Sequence, residues 1–289
     1  MINKNYAPIV IFAYNRPSKI QSLLNSLENN QELKCSKIIF YIDKYSTIAE
    51  KENNLKVIST IKKWSENYIT EINIRTYNMG LKENILDGIN NIFLKYESAI
   101  FLEDDLIVSS NFLNYINSSL KKYKFIKKVK HISGYNFPIN NSNYNSAFFT
   151  NYMSCWGWAT WKDRWEKNLN YSKNEITNKN KYLRLKFTVY GYEKDFESQL
   201  KRNELGDINT WAIFWYQHIF LSKGLCLNPC ISLVQNNGHE GEHGINISIY
   251  NSQINQNKVD KFPKLLLINY LNLLKLIIFY RKKNILKNS

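Results

Sequence analysis

Glu103, Asp104 and Asp105 stand where the apolar run Ala99-Ile100-Phe101-Leu102 stops. Three like charges at a buried strand end are costly unless something cationic neutralises them. Hard carboxylate oxygens suit Mg²⁺ or Mn²⁺, ions that keep open positions and clamp a diphosphate. Alone, the same triplet also describes a strand running out into a solvated acidic turn. Two other apolar runs end on polar groups: Pro8–Tyr14 leads into Asn15-Arg16-Pro17, and Lys37–Asp43 ends on an acid.

Those runs belong to an alternating pattern. The spacing predicts helices bearing Ile20, Leu23, Leu24 and Leu27, then Glu50–Trp64, Lys82–Tyr96 and Phe112–Tyr123. Strands are expected at 8–14, 37–43, 72–75, 99–102 and 129–133. Strand–helix alternation implies an α/β fold, a mostly parallel central sheet with helices on both faces. Ligands of such sheets bind beyond the carboxyl ends of the strands. Tyr14-Asn15-Arg16, Asp43 and Glu103-Asp104-Asp105 therefore fall at one edge, where a nucleotide site is expected.

The second half is less regular. Ser154-Cys155-Trp156-Gly157-Trp158-Ala159-Thr160-Trp161 sets three indoles around a glycine. Asn209-Thr210 reads as an N-cap for a helix over Trp211–Lys223, with Gly224 as its C′ residue. Asn236–Gly244 is a Gly-rich polar loop carrying His239, Glu240 and His243.

The chain has 289 residues and a formal net charge of +15, which asks for an anionic partner without choosing among nucleotide, phospholipid, nucleic acid and acidic glycan. Cys35, Cys155, Cys226 and Cys230 form no CxxC pair, so neither a disulfide framework nor a zinc site is expected, and a reducing compartment fits. No signal peptide and no spanning helix are expected. Neither GxxxxGK[ST] nor GxGxxG occurs.

Together the Asn15-Arg16-Pro17 turn, the acidic triplet as a variant of a DxD motif, Cys155-Trp156-Gly157-Trp158 and the late His243-Gly244 resemble a GT-A glycosyltransferase. The set is similar to bacterial family-2-like sugar transferases and, more distantly, to N-acetylglucosaminyltransferase I. The resemblance covers about residues 6–245. It implies a Rossmann-like GT-A domain over 1–245 and a C-terminal extension with an amphipathic helix over 246–289. It also implies a metal-dependent enzyme, with Mn²⁺ or Mg²⁺, that uses a nucleotide-sugar donor, UDP being the commonest nucleotide.

Under that resemblance Asp105 binds the metal, joined by His243 (or His239) from the late loop. Glu103 and Asp104 face ribose and donor sugar, and Asp43 the base or ribose. Tyr14, Asn15 and Arg16 lie near the nucleotide, Lys82 meets the diphosphate at a helix N-terminus, and Trp156, Gly157 and Trp158 wall the sugar. Trp161 and Trp165 are expected in the core. N-acetylglucosaminyltransferase I carries an Asp before a Trp at the late helix; here Asn209-Thr210-Trp211-Ala212 has no acid. Asp207 is first choice as catalytic base for an inverting transfer, with Glu240 and Asp163 as rivals.

The tail from Leu265 to Tyr280 reads as a broadly apolar helix with Asn269, Asn272 and Lys275 as a narrow polar stripe, followed by Arg281-Lys282-Lys283. It suits docking on an anionic membrane face, and the alternative is packing on the domain or a second subunit. The expected acceptor is a lipid-linked glycan in bacterial surface polysaccharide or lipooligosaccharide synthesis, at the inner face of the cytoplasmic membrane. Rival readings are a metal-dependent nucleotidyl or phosphoryl transferase, and a non-catalytic basic protein binding nucleic acid, for which no RRM, KH or helix-turn-helix pattern appears.

Overall fold

The computed structural model describes residues 6–139, 141–165, 176, 181–238, 250 and 253–288. It is a mixed α/β structure, consistent with a Rossmann-like fold. Strands β1 (Ile9–Ala13), β2 (Ile38–Ile42), β3 (Thr70–Ile74) and β4 (Ser98–Glu103) pair in parallel in the order β3-β2-β1-β4. Beyond β4 come β8 (Trp158–Trp161), β6 (Val129–Ser133), β9 (Leu225–Pro229) and β7 (Ala147–Thr150). β8 is antiparallel to both β4 and β6, β9 is parallel to β6, and β7 is antiparallel to β9. Six of the eight strands therefore point the same way.

The continuous apolar runs follow from cover on both faces. Ile9, Ile11, Ala13, Ile38, Phe40 and Ile42 enter one core with helices α1 (Pro17–Leu27), α2 (Ile48–Ser65) and α4 (Phe112–Tyr123). Val10, Phe12, Ile39 and Tyr41 enter a second core under α3 (Leu81–Lys95) and α7 (Ala212–Leu221). This is the period-2 alternation of strand side chains, with both sets buried. Gly88 lets α3 approach, because a Cβ there would lie 2.6 Å from Phe12 Cε1.

A two-stranded antiparallel ladder, β5 (Leu106–Val108) with β10 (Val234–Asn236), carries the late chain back to the acidic triplet. The sequence pattern did not disclose it. Two helices, α5 (Lys181–Phe187) and α6 (Asp195–Leu205), precede α7. The expected caps of α7 differ in detail. Thr210 is tied to Asn203 of α6, whose side-chain amide and carbonyl meet the Thr210 hydroxyl and N–H, so Trp211 takes the N-cap place. At the other end Lys223 holds the left-handed C′ conformation at φ 52°, and Gly224 N–H closes on Ile219 O at 2.8 Å. Gly224 is needed for room, since a Cβ would lie 2.5 Å from Lys130 Cγ.

The C-terminal segment is part of the body. Isolated bridges join Ser146 to Lys261 and Phe149 to Ile268 along β7. The final helix α8 (Tyr270–Asn288) then buries Leu273, Leu276 and Tyr280 in a third core with Phe187, Ile213 and Tyr216. Lys283 of α8 makes a buried ion pair with Glu193, the two side chains 4% and 6% exposed. The expectation that the apolar face of this helix goes to lipid is corrected for that face: it packs on the domain. The proposed 245/246 boundary lies outside the described residues. Among the described residues no helix is long and apolar enough to cross a membrane.

Candidate functional site

Parallel pairing brings the ends of β1 and β4 together, Phe12 standing opposite Glu103. The chain turns at Tyr14-Asn15-Arg16 into α1, with Pro17 at its first turn, where a missing N–H costs nothing. Arg16 thereby faces the acids. It forms a close ion pair with Asp104 and a second with Asp105 at 3.0 Å. Asp104 is buried, 3% exposed, and also accepts the Tyr14 N–H at 3.3 Å. Burial opposes the charge on Arg16, but Asp104 and Asp105 outweigh it and hold the guanidinium protonated. Burial pushes Asp104 up to about 6 against the pull of Arg16. Burial and then Asp105 also raise Glu103. One arginine thus leaves three acids incompletely compensated.

The β5–β10 ladder delivers the late chain to the same point. Asn237 N–H donates to Asp105 O at 2.7 Å, and Lys19 Nζ donates to Asn237 O at 2.6 Å. Gly238 passes so close that a Cβ would lie 2.4 Å from Asp105 Oδ2. An open cleft of about 290 Å³ lies alongside, lined by Asn15, Arg16, Pro17, Ser18, Lys19, Asn53 and Gly238. Lys19, Asn237 and Gly238 are site residues the sequence reading missed. Lys19 had a signal, standing three residues after Arg16 and so on the same helix face. His239, Glu240 and His243 lie outside the described residues.

Of the other expected residues, Asn15 lines the cleft and the rest lie outside its lining. Asp43 is buried and accepts the N–H groups of Lys44, Met79 and Gly80 at 2.9 Å each. Its carboxylate fixes the turn into α3, where Gly80 needs φ 78°. Tyr14 pairs its hydroxyl with Ser46, and the Asn15 amide donates to Glu50. Lys82 sits at the start of α3 with its Nζ 5.2 Å from the Phe214 ring. Because α7 descends into β9, Phe214 and Lys82 share the sheet edge where β1 and β4 end.

The aromatic wall is corrected at Trp158. Trp158 is 2% exposed, lying between Phe101, His131 and Trp211, because β8 is inserted into the sheet beside β4. Gly157, at φ 62°, makes room for Val234 and Phe112 and accepts Gly134 N–H at 2.7 Å. Trp156 packs edge-on against Tyr135 and Tyr250. Trp161 and Trp165 are buried, as expected.

Of the candidate bases, Asp163 is placed at the wrong edge: β8 runs away from the site, and Asp163 pairs with Lys127 and Arg164. Asp207 follows α6 in a Schellman turn, its N–H on Arg202 O at 2.9 Å and Gly206 in the left-handed place. Its side chain is exposed, and no hydrogen bond or ion pair among the described residues joins it to the acids.

No three His, Cys, Asp or Glu side chains among the described residues converge as a ligand set. The donor chemistry still fits a hard divalent ion of the Mg²⁺ type, which uses one or two carboxylates and takes its other ligands from water and phosphate.

No family model and no curated protein match the chain. Among solved structures it is similar to TarS of S. aureus, a glycosyltransferase, with a TM-score of 0.34 and 15% identity over 44% of this chain. The match spans 21% of TarS. A likeness that slight carries no argument.

Proposed function

We propose that this chain is a metal-dependent GT-A glycosyltransferase that moves a sugar from a nucleotide-sugar donor, with UDP the expected nucleotide, to a lipid-linked glycan at the inner face of the cytoplasmic membrane. One observation carries the reading: Asp104 and Asp105, under-compensated by Arg16, stand beside an open cleft at the carboxyl end of a mostly parallel sheet. Ligand binding at that edge is the rule for open α/β sheets.

Asp105, with His243 as the further candidate, would hold Mn²⁺ or Mg²⁺, which when bound supplies charge stabilisation to the departing diphosphate. Arg16 and Lys19, with the Ser18 N–H at the start of α1, offer a diphosphate both charge and donors. In an inverting transfer the acceptor oxygen bonds to the anomeric carbon as the bond from that carbon to the diphosphate oxygen breaks. The acceptor proton passes to a carboxylate, for which Asp207 and Glu240 are the remaining candidates, and the nucleoside diphosphate leaves.

The test is turnover of a nucleotide-sugar panel with Mn²⁺ or with chelator, analysed for product. Release of nucleoside diphosphate supports the reading. Release of pyrophosphate would instead mark a nucleotidyl transferase.

A further inference from the structure

Helix α8 has two faces of opposite fate. Leu273, Leu276, Tyr280 and Lys283 are buried on the domain. On the other side Leu271, Leu274, Ile278 and Ile285 are 65%, 53%, 45% and 61% exposed. Their spacing of three, four and seven residues draws one stripe along the helix. Lys275 and Lys282 flank it on one side and Arg281 on the other. From Lys261 to the last residue the chain contains Lys and Arg and no Asp or Glu.

A second segment joins it. The turn after α4 exposes Phe125 at 86%, flanked by the exposed Lys121, Lys122 and Lys124. Tyr123 Oη donates to Pro263 O at 2.9 Å, and Lys122 Nζ lies 6.0 Å from the Phe262 ring. These contacts hold the turn beside the stretch bearing Lys264 and exposed Leu265 and Leu267, which leads into α8. Two stretches distant in sequence thus present exposed apolar side chains within a basic surround.

We infer that the outer stripe of α8, together with the exposed segment that leads into it and the Phe125 turn held against that segment, is a docking surface for an anionic lipid bilayer. Exposed apolar side chains in line ask for cover, and the charge decides what covers them. A second copy seated on this stripe would bring Lys275, Arg281 and Lys282 against their own counterparts, with no acid on the helix to answer them. A lipid surface with negative headgroups answers both features: side chains enter the acyl boundary and the flanking bases meet phosphate. The inference rests on the membrane-side reading of the acceptor for its purpose. Its readout is vesicle binding, so a failed surface and a failed transferase reading give different results.

The experiment is co-sedimentation of the full chain with vesicles of phosphatidylglycerol and phosphatidylcholine, against phosphatidylcholine alone. The expected result is binding to the anionic vesicles only, released as salt rises from about 0.05 to about 0.5 M because surface attraction is screened. The triple variant Leu271→Gln, Leu274→Gln, Ile278→Gln should bind at least about tenfold more weakly with an unchanged thermal midpoint, since these side chains make no core. Lys275→Gln with Arg281→Gln and Lys282→Gln should do the same. No binding by the full chain overturns the inference, as does undiminished binding by the triple variant. A dimer in sedimentation velocity that the triple Gln variant splits, without vesicle binding, would show that a second copy covers the stripe.

Discussion

Replacing Lys283 by Met tests whether α8 is part of the fold or a separable tail. The Lys283–Glu193 pair is closed to water, and Lys283 Nζ also lies 5.3 Å from the Tyr250 ring and 5.2 Å from the Tyr280 ring. Removing one partner of a buried pair leaves the other charge stranded, at a cost of about 3–5 kcal/mol. At roughly 2–3 °C per kcal/mol for a chain this long, the thermal midpoint should fall by about 6–15 °C. Glu193→Gln should cost less than Lys283→Met, because the ammonium keeps its two aromatic faces, each worth about 0.5–2 kcal/mol. The double variant should lie within about 2 kcal/mol of the parent, since neither charge is then stranded. Differential scanning calorimetry on the four proteins completes the cycle. A Lys283→Met protein that melts like the parent would refute the docked helix. So would additive single effects in the double variant.

Gly238→Ala places a Cβ 2.4 Å from Asp105 Oδ2 and 3.0 Å from Asn236 Oδ1. It should weaken Mn²⁺-dependent donor binding by about tenfold or more while the core signal in near-UV circular dichroism stays, a split that titration calorimetry can read. His131 is held neutral by burial, its pKa lowered to about 3, with Trp215 Nε1 donating to its Nδ1 at 3.2 Å. The unfolded chain takes up that proton near the ordinary 6.5 and the folded chain does not, so this group's contribution is lost as pH falls from 6.5 toward 3. His131→Asn should flatten that limb of the stability–pH curve in urea titrations, and an unchanged slope would contradict the assignment. Asp207→Asn should lower turnover by orders of magnitude with donor affinity kept; if Glu240→Gln does so and Asp207→Asn stays active, the base is Glu240.

The parallel half of the sheet was legible because β1, β2 and β4 are buried on both faces, which leaves an unbroken apolar run for each strand. The convergence of Arg16 with Asp104 and Asp105 followed from topology alone. The structural role of Asp43 was not legible, because its partners, the N–H groups of Met79 and Gly80, carry no side-chain signature. Trp158 was misread because a strand inserted antiparallel between β4 and β6 cannot be inferred from an aromatic cluster. The tail was half legible: a helix apolar nearly all round does not reveal which stripe the domain takes and which it leaves outside. Lys19 and Gly238 depend on the β5–β10 ladder, whose short strands leave little trace in the pattern.

The central claim is that Asp105 and its neighbours hold a metal-assisted nucleotide-sugar donor. Titration calorimetry of UDP-, GDP- and dTDP-sugars with and without Mn²⁺, on the parent chain and Asp105→Asn, tests it most directly. The account predicts that at least one donor binds only with Mn²⁺, and that Asp105→Asn loses that binding by about a hundredfold with its fold intact. Binding that ignores Mn²⁺ and survives Asp105→Asn, or no binding of any donor by the parent chain, would contradict it.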